Sequence, residues 1–240
     1  MLIIGIDEVA RGCLAGPVVS CAVILRPDLV TNWTQSQETR PKITDSKRMT
    51  PAQRQKAKDW IIGNSLGGTN NNSKPSLAWG LGRASVSEID EMNIREATFL
   101  AMNRGLEACL GMLAREHLDT RQEPIQVWID GNAFKALSEV APAAANWPGG
   151  ISYHTQVKGD LLVPSIACAS ILAKEFRDAE LDELVSSNPE ELGCYGWATN
   201  RAYGTADHFQ AILVNGLTVW HRLSFLDKLL APGRVPHVGK

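Results

Sequence analysis

Two short apolar runs, each stopping at an acid, constrain the fold of this chain more than any other feature. Near the N-terminus Leu2-Ile3-Ile4-Gly5-Ile6 runs into Asp7-Glu8, and further on Ile125-Gln126-Val127-Trp128-Ile129 runs into Asp130-Gly131. Apolar runs of this length, rich in β-branched residues and closed by polar ones, read as buried strands. A third acid position, Asp160, follows the β-prone stretch 151–157 within Lys158-Gly159-Asp160. Carboxylates at the ends of strands can converge at one edge of a sheet, where they suit hard divalent cations. Asp130-Gly131 also reads as a turn and Asp160 as a cap near a helix. Asp7-Glu8 is the stronger signal, because adjacent charges closing a buried strand are costly without a counter-ion.

The intervening sequence supplies the rest of an α/β plan. Val18 to Leu25 reads as a second strand, reached through a loop at 11–17 that holds two glycines and a proline. Thr50-Pro51-Ala52-Gln53 combines an N-cap, a proline at the first helical position and a capping-box partner, opening a helix to Ile62. Leu77 to Val86 reads as a third strand, interrupted by Gly80 and Gly82. Asn93 with Glu96 heads a helix whose apolar positions Ala97, Leu100, Ala101, Leu106, Leu110 and Leu113 follow helical spacing. The pattern then predicts strands over 125–129 and 151–157, a helix over 163–184, and helical segments over 206–214 and 224–230. Residues 26–42 are polar and irregular, and 67–73 reads as a loop tip. With no internal repeat and no dividing linker, residues 1–240 are expected to form one domain, with 190–230 as a helical C-terminal extension and 231–240 as a tail. The first strand, apolar on both faces, is expected at the centre of the sheet.

Bulk properties exclude several classes. Hydrophobic residues at 44% and charged residues at 21% describe a globular protein, and a net charge of -2 carries no global nucleic-acid signal. Any basic surface must be local. The five cysteines form no C-x-x-C pair, which fits reduced thiols in a cytoplasmic protein. No run approaches the ~20 apolar residues of a membrane span, and Asp7 interrupts the first run too early for a signal peptide. No His/Cys spacing matches a zinc site.

Several donor-rich segments admit two readings. Thr44-Asp45-Ser46-Lys47-Arg48 can position phosphate, with Lys47 the candidate contact, or can be a solvated turn. Arg11-Gly12 permits close approach of the backbone to a ligand. Tyr203 can stack on a base or sugar or pack half-buried. His208 and His221 read as core or capping histidines, and Trp79 and Trp128 as core rather than substrate platform.

In chain order, Gly5-Ile6-Asp7-Glu8-Val9-Ala10-Arg11-Gly12, Thr44-Asp45-Ser46-Lys47, Ile129-Asp130-Gly131-Asn132 and Lys158-Gly159-Asp160 resemble the motifs of type 2 ribonuclease H, specifically bacterial ribonuclease HII. So do Ala169-Ser170-Ile171-Leu172-Ala173-Lys174, Ala202-Tyr203-Gly204-Thr205 and His221-Arg222-Leu223-Ser224-Phe225. The resemblance spans residues 3 to about 228. It implies a ribonuclease H-like α/β fold, a mixed five-stranded sheet flanked by helices with a helical C-terminal extension. It also implies endonucleolytic cleavage of RNA in RNA–DNA hybrids and at single ribonucleotides in duplex DNA, leaving a 3'-hydroxyl and a 5'-phosphate. The family's metal ligands, for two Mg²⁺ or Mn²⁺ ions, fall on Asp7, Glu8, Asp130 and Asp160. Its loop that senses the ribose 2'-hydroxyl falls on Ala10, Arg11 and Gly12, and its junction-sensing tyrosine on Tyr203. Tyr203 points to ribonuclease HII rather than ribonuclease HIII. The expected partners are hybrid and ribonucleotide-containing duplexes, with no membrane, and a monomer is the default.

Three positions depart from the family pattern. Ala10 and Ala202 stand where glycine is usual, and Cys13 where proline is usual. If position 10 takes a positive φ, alanine is strained there by ~1–2 kcal/mol. The segments 27–42 and 63–76 look longer than usual. Two other readings compete: a junction resolvase or integrase-like nuclease, which shares the acidic sheet, and a catalytically silent hybrid-binding protein. Tyr203 and the Arg11 loop argue against the first, and retention of all four acids against the second.

Overall fold

The structure is a computed structural model and describes residues 1–25, 41–65, 77–116 and 122–227. Most of the irregular stretch 26–42, the loop tip 67–73, the tail 231–240 and the end of the segment 224–230 lie outside the described residues.

Strand β1 (Leu2–Val9) pairs antiparallel with β2 (Val18–Leu25) and parallel with β4 (Ile125–Asp130), which pairs parallel with β5 (Ile151–Gln156). With β3 (Leu77–Ala84) the order is β3-β2-β1-β4-β5, so the strand that is apolar on both faces is the central one. The helices are α1 (Pro51–Gly63), α2 (Val86–Met92), α3 (Ile94–Glu116), α4 (Pro142–Ala145), α5 (Gly159–Leu162), α6 (Pro164–Ser187), α7 (Pro189–Leu192), α8 (Trp197–Asn200), α9 (Ala206–Asn215) and α10 (Leu223–Leu226). None of the described helices is long and apolar enough to cross a membrane.

The chain divides into two compact units. The first joins Met1–Val9, Val19–Arg83 and Phe99–Glu175 and holds the sheet; the second joins Ala10–Val18, Ala84–Thr98 and the chain from Phe176 onward.

In the first unit, alternation along the strands sorts the side chains. Leu2, Ile4 and Ile6 of β1 and Ile125, Val127 and Ile129 of β4 form one core with Phe99, Met102, Leu106, Leu110 and Leu113 of α3. Each such side chain, fully buried, contributes roughly 1.5–3 kcal/mol. The opposite face receives the start of α6. A Cβ on Gly5 would lie 2.1 Å from the Ile166 backbone nitrogen, so only glycine lets that helix rest directly on β1. Gly80 and Gly82 serve the same purpose against α3, where a Cβ on Gly82 would lie 2.0 Å from the Ala101 carbonyl oxygen. They are contact points rather than weaknesses in the strand.

Local signals account for several helix starts. The Thr50 hydroxyl accepts from the Gln53 N–H at 3.3 Å and the Gln53 side chain accepts from the Thr50 N–H at 2.9 Å, closing the expected capping box. The Asn93 side chain accepts from the N–H groups of Arg95 and Glu96, capping α3. Several boundaries differ from the sequence pattern: α6 runs on to Ser187, β4 includes Asp130 and β5 ends at Gln156. β1 continues to Val9, so Asp7 and Glu8 lie within the strand, opposite Cys21 and Ser20 of β2. The third strand stops at Ala84, where a reciprocal Ser85–Glu88 capping box opens α2. That S-x-x-E signature is legible in the sequence, but the apolar Val86 extends the strand pattern past it.

Candidate active site

Asp7 and Asp130 are brought together by strand register. The last registered pair of β1 and β4 is Ile6 with Ile129, and the next residues along the two parallel strands are Asp7 and Asp130. Asp7 is only 7% exposed. Burial pushes its carboxyl well above the usual carboxylate range, and the charges of Glu8 and Asp130 push the same way. Hydrogen bonds from Ser170 of α6 and from the Glu8 N–H, at 2.7 Å, oppose the rise. Alternation sends Asp7 to the side of Gly5 and Glu8 to the side of Ile6, so Glu8 acts on Asp7 through its charge.

Asp160 enters from α5, the single turn that follows β5. The Gly159 N–H donates to Asp130 Oδ1 at 2.7 Å, so the third acid anchors the turn that carries the fourth. A Cβ on Gly159 would lie 2.5 Å from Ile166 Cδ1 and 3.3 Å from that same carboxylate oxygen, so a larger residue would have to displace the end of the Ile166 side chain. Partial burial, then the charges of Asp45 and Asp130, raise the Asp160 carboxyl; the Lys47 ammonium works against them. The turn Ser46–Arg48 that carries Lys47 is held in place by specific bonds. Asp45 accepts from the Lys47 N–H at 2.8 Å, and the Ser46 hydroxyl meets the Ser170 hydroxyl at 2.9 Å. Arg54 donates to the carbonyls of Ser46 and Met49 while pairing with Glu175 at 2.6 Å.

Among the described residues, no three His, Cys, Asp or Glu side chains stand ready to coordinate a cation. Charge links the acids, with Asp130 felt by both Asp7 and Asp160. The donors are carboxylate oxygens whose charges repel one another, and that chemistry fits a hard divalent cation. A cation would offset both the burial and the repulsion that raise Asp7.

In the second unit the segment from Ala10 to Gly16 is held on both sides. Cys13 bridges to Tyr203 and Ala15 to His221 as isolated antiparallel pairs. The Leu14 N–H donates to the Ala202 carbonyl at 2.8 Å, the Leu14 carbonyl accepts from the Arg222 N–H at 2.8 Å, and the Gly16 N–H donates to the Trp220 carbonyl at 2.9 Å. Position 10 does take a positive φ, 69°, as do Arg201 at 53° and Ala202 at 62°. Both alanines that replace the family's glycine therefore carry left-handed strain of ~1–2 kcal/mol. Arg11 and Gly12 are exposed, and Tyr203 is 41% exposed, with its side chain hydrogen-bonded to Cys13.

Two buried guanidiniums hold this segment. Arg222, fully buried, donates through Nε to the Gly16 carbonyl at 2.9 Å and through Nη1 to the Arg11 carbonyl at 3.1 Å. Burial lowers its pKa to about 10, so it stays charged at neutral pH. Arg177 donates through Nη2 to the Arg201 carbonyl at 2.7 Å and lies 3.4 Å from Cys13 Sγ. His208 and His221 are buried, as core histidines are. Trp128 is half-buried and stacks on His154 at 4.8 Å rather than entering the core, and Trp79 is likewise half-buried.

Reasoning from sequence missed Ser170, Asp45, Arg177 and the structural use of Arg222. Ser170 and Arg222 lie inside motifs visible in the chain, but nothing local says that one meets Asp7 and the other the loop at 11–16.

A family model described as Ribonuclease HII matches residues 4–228. A Ribonuclease HII of Thermosynechococcus vestitus is 39% identical over 229 residues, covering 95% of this chain and 85% of its own length. One of Sphingopyxis alaskensis is 37% identical over 224 residues, covering 93% and 88%. Among solved structures, ribonuclease H2 from Pyrococcus horikoshii OT3 is similar with a TM-score of 0.63 at 18% identity, covering 95% of this chain and 97% of its own. A Bst ribonuclease HIII in complex with Mn²⁺ has a TM-score of 0.55 at 15% identity, covering 90% and 70%. At those identities the structural likeness is one of fold.

Proposed function

Because the chain belongs to the ribonuclease HII family, an endonuclease family acting on RNA–DNA hybrids, we propose that it also incises duplex DNA on the 5' side of a single embedded ribonucleotide. The products are a 3'-hydroxyl and a 5'-phosphate. The observation that carries the reading is the position of Asp130, one carboxylate whose charge bears on both Asp7 and Asp160.

Asp7, Glu8, Asp130 and Asp160 would hold two Mg²⁺ or Mn²⁺ ions, which when bound supply positive charge to the attacking and departing oxygens. The chain's own groups aim these acids. The Glu8 N–H and Ser170 fix Asp7, and the Gly159 N–H fixes Asp130, as outer partners of metal ligands commonly do. Lys47 is assigned a phosphate of the cleaved strand. Arg11 and Gly12, with the turn at Ala10, are assigned the ribose 2'-hydroxyl, the chemical handle that marks a ribonucleotide within DNA. Tyr203 is assigned the sugar of the following deoxynucleotide, against which its exposed ring can stack. We read residues 1–240 as one catalytic domain with 190–230 as its helical extension, acting as a cytoplasmic monomer.

The test is a duplex bearing one ribonucleotide, incubated with Mg²⁺ or Mn²⁺. Incision 5' of the ribonucleotide by the wild type, lost in Asp7→Asn, is the expected result. No cleavage by the wild type, or undiminished cleavage by Asp7→Asn, rejects it. Cleavage of an all-DNA branched junction in its place would assign a resolvase.

A further inference from the structure

Around the Tyr203 carbonyl, four aromatic rings of the second unit pack together: Tyr195, Trp197, His208 and His221. Both imidazoles are buried, at 0% and 1% exposure. Their hydrogen bonds admit one arrangement of protons. His221 Nδ1 lies 3.0 Å from the Thr218 backbone N–H, which can only donate, so Nδ1 is bare and a neutral His221 carries its proton on Nε2. That Nε2 lies 3.3 Å from His208 Nε2. The Trp197 indole N–H, also a donor only, lies 2.9 Å from the same His208 atom. His208 Nε2 is therefore bare, its single lone pair accepting from Trp197 with the His221 N–H as a longer second donor. The remaining proton of His208 sits on Nδ1, 3.0 Å from the Tyr203 carbonyl oxygen, which can only accept.

Each link enforces the next, and burial keeps both rings neutral by lowering their pKa values. A second proton on His208 would set an N–H against the donors of Trp197 and His221. The Tyr203 carbonyl also accepts from the Thr205 N–H at 2.9 Å, and the Tyr203 N–H donates to the Asn200 carbonyl at 3.0 Å. These bonds hold the residue that follows the left-handed pair Arg201–Ala202.

We propose that His208, locked as its Nδ1–H tautomer by Trp197 and His221, is the positioning residue that sets the backbone of Tyr203 for substrate. The proposal rests on the reading of Tyr203 as a substrate contact. It gives a buried histidine pair a part in substrate selectivity although neither ring touches the nucleic acid.

Two substitutions separate this role from packing. In His208→Asn the amide nitrogen takes the place of Nδ1 and keeps the bond to the Tyr203 carbonyl. In His208→Gln the amide oxygen takes the place of Nε2, keeping the bonds from Trp197 and His221 while losing Tyr203. One hydrogen bond is worth ~1 kcal/mol, so His208→Gln should raise KM for a one-ribonucleotide duplex about fivefold, with kcat little changed. His208→Asn should stay near wild type, and cleavage of a continuous RNA–DNA hybrid should change less in both. Nitrogen NMR of the wild type at neutral pH should show His208 protonated on Nδ1 and His221 on Nε2. Equal KM increases in the two variants, or losses that follow a fall in thermal midpoint, overturn the proposal. So does a His208 ring found charged or protonated on Nε2. A wild type that cuts neither substrate defeats the functional reading instead, and the NMR spectrum tells the two failures apart.

Discussion

The two units bury charge of opposite sign and treat it differently. In the first, Asp7 is buried beside Glu8 and Asp130, and the hydrogen bonds from Ser170 and the Glu8 N–H do not offset burial and repulsion. In the second, Arg177 and Arg222 are buried as deeply, yet Arg177 donates to the Arg201 carbonyl and to Asp178, and Arg222 to the carbonyls of Gly16 and Arg11, with only its Nη2 left without a partner among the described residues. A planar guanidinium with several donors tolerates burial when oxygens meet it, whereas crowded carboxylates need a cation. The first unit therefore gathers like charges that a divalent cation would relieve. In the second, buried cations give shape to the backbone that carries Arg11, Gly12 and Tyr203.

The largest test of this contrast is Asp7→Asn. A divalent ion is worth several kcal/mol to the transition state, so activity should fall at least about a thousandfold. Without divalent ions the variant should also melt at a higher temperature than the wild type, because the substitution removes a carboxyl whose ionisation burial and like charges disfavour. Added Mg²⁺ should then stabilise the wild type more than the variant. A lower melting temperature for the ion-free variant would contradict the assignment of strain to the first unit.

Next in size is acid sensitivity of the second unit. His221 is lowered from 6.5 to about 4 by burial and by His208. Above pH 6.5 folded and unfolded chains are both neutral at this ring, and its full contribution is present. As the pH falls from 6.5 towards 4 the unfolded chain takes up a proton that the folded ring refuses, so stability is lost, by up to about 3 kcal/mol. Urea unfolding between pH 7 and pH 4 should show His221→Asn losing less stability than the wild type over that range. Parallel curves would mean that the ring takes its proton in the folded state.

The smallest effect is expected from Ala10→Gly. Relief of left-handed strain, ~1–2 kcal/mol, is partly cancelled by ~0.5–1 kcal/mol of added freedom in the unfolded chain. The melting temperature should rise slightly and the site of incision should stay the same, since the φ of 69° is one that glycine also adopts. A shifted incision site would show that the alanine side chain, and not only the turn, reads the substrate.

Some of this was legible along the chain because the physics is local. The Thr50 capping box, the apolar runs of β1 and β4 and the spacing along α3 each act within a few neighbouring residues, and the structure follows them. Four-residue helices such as Pro142–Ala145 and Trp197–Asn200 leave no periodicity to read. The glycines of β3 looked like weaknesses because the helix that needs them lies elsewhere in the chain.

By itself the sequence determined which acids exist, which strands carry Asp7, Glu8 and Asp130, and where glycine was replaced by alanine. Tertiary structure alone decided that Asp130 bears on both Asp7 and Asp160, and that Ala10 and Ala202 take positive φ. It alone joined Ser46 to Ser170 across 124 residues and Arg222 to the Arg11 carbonyl across 211. Strand and cap propensities are summed over near neighbours. A carboxyl's proton affinity or an imidazole's tautomer is set by groups a few ångströms away, whatever their distance along the chain.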